Sequence, residues 1–70
     1  MKLHYFEETD TLYVQLTDNA VAETREFNEN LYVDLDSQDG VVSLTVEHAR
    51  GSSRKLDFSY EVTQAGEAFT

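Results

Sequence analysis

Apolar and polar residues alternate along most of this chain, and a period of two is the signature of a half-covered β-strand. Leu12, Val14 and Leu16 alternate with Tyr13 and Gln15. Leu31, Val33 and Leu35 alternate with Tyr32, Asp34 and Asp36. Val42, Leu44 and Val46 alternate with Ser43, Thr45 and Glu47. Successive side chains on a strand point to opposite faces, so each run has one aliphatic face and one wet face. That is the pattern of an antiparallel sheet covered on one side.

Turn chemistry separates the runs. Glu7-Glu8-Thr9-Asp10 closes a first strand at about Lys2–Phe6, and Asp18-Asn19 and Asn28-Glu29-Asn30 follow the second and third. Asp36-Ser37-Gln38-Asp39-Gly40 precedes the fifth, with Gly40 suited to a positive φ. The segment Ala20–Phe27 has no clean apolar face, and its Glu and Arg residues suit an exposed sheet edge. Short connections make a β-meander the simplest topology. After a polar break at His48–Lys55, Leu56, Phe58, Tyr60 and Val62 alternate with Asp57, Ser59 and Glu61. This reads as a sixth strand, with a short C-terminal helix capped by Ser52 or Ser53 as the rival. The expected fold is therefore mainly β. It is an antiparallel meander of five or six strands in one domain, residues 1–70, with 63–70 as a frayed tail.

Composition narrows the function classes. The chain has 70 residues, no Cys, no Pro and three Gly. A domain this short buries only about 60% of its unfolded surface, so its stability is marginal. Without cysteine, disulfides and thiolate metal sites are excluded, leaving compact packing or association. No apolar run is long enough to span a membrane, and the N-terminus has no signal-peptide stretch, so the expected compartment is the cytoplasm. Formal charge is −9, from 14 acids and 5 bases. Such a surface repels phosphate backbones and argues against nucleic-acid binding. Residues 1–47 hold eleven acids and two bases, and residues 48–70 hold three of each.

The order of motifs carries a resemblance. An N-terminal Tyr5 and acidic loop precede Asp10-Thr11-Leu12-Tyr13-Val14-Gln15-Leu16. Then come Ala22-Glu23-Thr24-Arg25-Glu26, Val33-Asp34-Leu35-Asp36 and Asp39-Gly40-Val41-Val42-Ser43-Leu44. Over roughly residues 1–49 the series resembles domain-of-unknown-function family 2283, a group of small prokaryotic proteins. The chain departs from that pattern at Ser43, where the family usually has glycine, at Thr45, where it has an acid, and at Arg50, where it has serine. The resemblance implies no catalytic residues. Some members look like the smaller partner of a toxin–antitoxin-like pair, which implies a protein-binding role.

Residue chemistry points away from catalysis. Glu7, Glu8 and Asp10 are close in sequence, and Asp34 and Asp36 are about 7 Å apart on one strand face. A paired-carboxylate mechanism needs them across a cleft, which a chain this small hardly builds. Asp34, Asp36 and Asp39 offer oxygen ligands for a divalent ion, but the spacing is not an EF-hand and turn chemistry explains them better. His4 and His48 have no obvious third ligand. Ser52-Ser53 after Gly51 is no nucleophile elbow. No metal or cofactor is expected, and the chain is read as not an enzyme. Arg50, Arg54 and Lys55 could meet an acidic group, most simply the chain's own acids or those of a dimer mate. Tyr13 and Tyr32, on the wet face with His4 and Phe6, are ordinary β-formers and also typical interface anchors. Tyr13, Tyr32, Arg50 and Arg54 are thus the candidate partner-binding residues.

The aliphatic face decides the rest. Leu3, Leu12, Val14, Leu16, Leu31, Val33, Leu35, Val42, Leu44 and Val46 form one apolar surface, which a monomer does not leave open. Either Leu56–Val62 covers it, or a second copy packs on it as a homodimer. Two function classes follow. One is an acidic protein-interaction module, antitoxin-like, that docks a basic partner. The alternative is a small ligand- or divalent-ion-binding protein with no partner protein. The acidity also suits a high-salt cytoplasm, where like-charge repulsion is screened.

Overall fold

The computed structural model describes residues 1–51, 56–57 and 59–64. The strands are β1 (Lys2–Phe6), β2 (Thr11–Gln15), β3 (Glu23–Asn28), β4 (Leu31–Leu35) and β5 (Val41–Glu47). All pairings are antiparallel, and the strands make one sheet. The strand runs read from the alternation are therefore the strands that form, with β3 at an edge as its mixed faces require.

The order is β1-β2-β5-β4-β3, which replaces the expected meander. β3, β4 and β5 are joined by hairpins, and β2 returns beside β5, a Greek-key arrangement read from the C-terminal end. Residues 16–22 carry the chain across the strand ends. Leu16 and Thr17 N–H donate to the Val42 carbonyl at 2.8 and 3.2 Å, and Ala22 N–H to that of Leu35 at 2.8 Å. The crossing spans about 14 Å, well within the extended reach of such a segment. Its physical reason is the composition of the strands. A meander would set β3, exposed at every residue, in the middle of the sheet and separate the aliphatic strands β2 and β5. The observed order gives the centre to β5, the most apolar strand.

The turns are held by aspartates and asparagines. Asp36 Oδ1 accepts the N–H groups of Gln38 and Gly40 at 2.9 and 2.8 Å. The left-handed residue of this turn is Asp39, at φ 64°, and not Gly40 as the sequence led us to expect. Gly40 is needed for space, since a Cβ there would lie 2.9 Å from Asp36 Oδ2. Asp10 takes the same backbone region, φ 55°, at the end of the β1–β2 turn. Aspartate tolerates it better than most residues because its short polar side chain bonds locally.

The register places four full rows across the sheet. On the aliphatic face lie Leu3·Val14·Leu44·Val33·Arg25 and Tyr5·Leu12·Val46·Leu31·Asn28. On the other lie Lys2·Gln15·Ser43·Asp34·Thr24 and His4·Tyr13·Thr45·Tyr32·Glu26. Among the described residues, the buried apolar side chains are Val42 and Leu35, both beside the irregularity where β4 and β5 change register. Leu12, Val14, Leu31, Val33, Leu44 and Val46 are half-buried, and Leu3 is 49% exposed.

Neither the sixth strand nor the short C-terminal helix occurs among the described residues of 56–64. Ser52, Ser53, Arg54, Lys55 and Phe58 lie outside the described residues, as does 65–70 of the expected tail. Tyr60 and Val62 are 89% and 82% exposed, so these two side chains do not cover the sheet, while Leu56 is half-buried. The alternation there lacks neighbouring backbone to pair with, and a strand pattern alone is not stable without it.

Candidate interaction surfaces

The polar face is built around β4 and β5. Tyr13 and Tyr32 stand on either side of Thr45 in one row, both half-buried, with His4 beyond Tyr13 and Glu26 beyond Tyr32. The His4 and Phe6 rings stack at 4.1 Å with 13° between planes at the β1 end of this face. The nearby Glu26 and Glu47 carboxylates raise the Tyr32 phenol above its ordinary pKa, so the hydroxyl stays a donor in a negative field.

One row over, Asp34 ties three strands together. Its Oδ2 accepts from the Ser43 hydroxyl at 2.5 Å and its Oδ1 from Thr24 Oγ1 at 2.6 Å. Ser43 is fully buried in the central strand, and this bond satisfies it. The residues come from positions 24, 34 and 43 on three successive strands, and the registers of the β3–β4 and β4–β5 hairpins bring them into one row.

Arg50 lies elsewhere, at the β1–β2 turn. Its N–H donates to Asp10 Oδ1 at 2.9 Å, and its Nε is 4.0 Å from the same oxygen. Tyr5 donates its hydroxyl to that oxygen at 2.5 Å, and Ala49 N–H donates to the Asp10 carbonyl at 3.0 Å. The Tyr5 hydroxyl, then the Arg50 N–H and guanidinium, hold the Asp10 carboxyl below its ordinary pKa against partial desolvation. The same bond raises the Tyr5 phenol. Of the expected partner-binding residues, Tyr13 and Tyr32 thus share a row, and Arg50 is engaged in a clasp between the first hairpin and the end of β5. Arg54 lies outside the described residues. Nothing in the sequence marks Tyr5 and Asp10, 5 residues apart, as partners of Arg50, 40 residues further on.

Two further aspartates, Asp36 and Asp39, are also engaged. Asp36 is held below its ordinary pKa first by the Gly40 and Gln38 N–H groups, with Asn19 Nδ2 at 3.2 Å from its Oδ2. It sits past the end of β4, so it does not pair with Asp34 across a strand face as the alternation implied. Asp39 Oδ1 lies 3.8 Å from Arg25 Nη2. His48 Nδ1 faces Asn30 Oδ1 at 3.0 Å. Among the described residues, no three His, Cys, Asp or Glu side chains gather as a metal site. Among the described residues, shallow hollows lie along Phe6–Thr9 and between Asn19–Ala20 and Asp36–Gln38. The first is lined by the Phe6 ring, two carboxylates and a hydroxyl, and the second by Asp36 with amides and a hydroxyl. No helix among the described residues is long and apolar enough to cross a membrane.

A family model described as protein of unknown function (DUF2283) matches residues 2–50. No curated protein and no solved structure matches the chain.

Proposed function

We propose that this chain, which belongs to the DUF2283 family of proteins of unknown function, is a non-catalytic protein-interaction module that works as a homodimer. The observation that carries the reading is the aliphatic face. Its two rows of Leu and Val are half-buried at best, and no described strand or helix packs over them.

The scale favours a second copy. Five strands about 4.8 Å apart and about five residues long present roughly 400 Å² of flat face. With side-chain relief, two such faces bury about 1,000 Å² or more in total, near the lower end of stable interfaces. Burial on this scale works against an association cost of about 4–15 kcal/mol, and the surplus is set by how well the two faces interlock rather than by area alone. Two sheets of this kind pack face to face about 10 Å apart, and a two-fold axis between them uses the same patch twice.

Dimerisation leaves the polar faces outward. Each carries Tyr13 and Tyr32 beside Glu26 and Glu47, on a chain of formal charge −9. That chemistry fits a basic protein partner, which the charge would steer and the tyrosines would anchor, in the manner of an antitoxin with its toxin in the cytoplasm.

Light scattering at low and at molar salt tests the reading. Apolar contact predicts at least twice the 8.0 kDa chain mass at both. Salt screens the repulsion between acidic copies and leaves burial intact. A single-chain mass at both salts would overturn the proposal.

A further inference from the structure

The two edges of the sheet are built differently. β3 is protected: Glu23, Arg25 and Glu26 line it, Arg25 pairs with Glu23 at 3.1 Å, and a bulge at Phe27 breaks its register. Charge and bulges are the devices by which sheet edges avoid pairing with other chains. β1 has neither beyond Lys2. Its five residues pair with β2 without a shift, and the run Leu3-His4-Tyr5-Phe6 carries no carboxylate and no proline. Among the described residues no segment pairs with its outer backbone groups, which form an open template.

We propose that β1 is a pairing edge whose occupant is β1 of a second copy, antiparallel and centred on His4. This goes beyond the face-to-face dimer and does not depend on it. The register pairs all five residues and keeps both faces continuous. Leu3 lies opposite the partner's Tyr5, extending the aliphatic rows, and Lys2 lies opposite the partner's Phe6 on the polar face. The charges fit as well. Lys2, the one Lys or Arg in the first 24 residues, comes beside the partner's Glu7 and the partner's Glu8. Two-fold symmetry forms that contact twice. The axis of this pairing is perpendicular to the sheet, and that of the sandwich is parallel to it. Perpendicular two-folds are what a closed four-chain assembly requires.

Sedimentation across a range of concentration, with backbone amide exchange, tests the edge. The wild type is expected to reach four chains, with exchange in Lys2–Phe6 slowing as concentration rises while exchange in Glu23–Asn28 stays constant. Lys2→Glu sets like charges together and is expected to weaken the step to four chains about tenfold or more. Adding Glu7→Lys and Glu8→Lys to that variant restores it. All three residues are exposed, so the fold is unaffected. Unchanged assembly and exchange in Lys2→Glu would overturn the proposal, as would concentration-dependent protection at β3 instead. Leu44→Lys separates the two contacts. If the sandwich fails on its own account, β1 protection persists; if the edge fails, two-chain mass remains with β1 unprotected.

Discussion

Removing one side of the Ser43–Asp34 bond should cost far less than removing the other. Ser43→Ala deletes a hydroxyl whose bond partner, the Asp34 carboxylate, is half-buried and keeps its Thr24 donor. Water can take the vacated lone pair, so the expected loss is about 1 kcal/mol, the net worth of a part-exposed hydrogen bond. Asp34→Ala leaves the Ser43 hydroxyl in a site with no exposure and strips Thr24 of its acceptor. An unsatisfied buried donor costs about 1–3 kcal/mol beyond the lost bond, so the expected total is about 2–4 kcal/mol. Loss of one acid from a chain of charge −9 relieves some repulsion and offsets only a little of that. The double variant should cost less than the sum, because with Ser43→Ala in place no buried hydroxyl is left in need of a partner. Thermal unfolding at one fixed protein concentration reads this as a drop of about 4–8 °C for Ser43→Ala and about twice that or more for Asp34→Ala. Equal losses, or strict additivity, would refute the account of Ser43 as a buried group satisfied through Asp34.

Two further perturbations test the turns. Gly40→Ala should destabilise by about 1–2 kcal/mol in urea unfolding, because the new Cβ meets a carboxylate already fixed by two backbone N–H groups, whereas an unhindered Gly→Ala stabilises. Tyr5→Phe removes the main cause that lowers the Asp10 pKa. A lowered folded-state pKa contributes stability above the ordinary aspartate value of 3.8, and that contribution is lost as pH falls through the folded value. The gap in urea midpoint between wild type and Tyr5→Phe is therefore expected to be full near neutral pH and to close as pH falls below about 4. It should also narrow as pH rises above the ordinary tyrosine value of 10.0, where Tyr5 of the unfolded chain ionises, and on through the raised folded-state value. A gap constant across the acid range would contradict the clasp.

Strand identity was legible because it is local. The period of two at Leu12–Leu16, Leu31–Leu35 and Val42–Val46 depends on neighbours along the chain, and so does the mixed character of Glu23–Asn28 that marks an edge. Strand order was not legible, because it depends on which strand has the greatest need of two neighbours. That competition put β5 in the middle and sent residues 16–22 across the end of the sheet. The sites inherited the same limit. Tyr13 and Tyr32 could be assigned one face by parity, but their common row with Thr45 required β5 between β2 and β4, and the meeting of Thr24, Asp34 and Ser43 required the registers of the two hairpins that join β3, β4 and β5. The reading of 56–62 as a strand failed because alternation reports side-chain facing and says nothing about whether backbone partners are within reach.

The central claim is that a second copy covers the aliphatic face. Isotope-filtered nuclear Overhauser spectroscopy on an equal mixture of labelled and unlabelled chains tests it most directly. The account predicts intermolecular contacts among the methyl groups of Leu12, Val14, Leu31, Val33, Leu44 and Val46. A well-folded sample with no intermolecular contact at any of these methyls would contradict it.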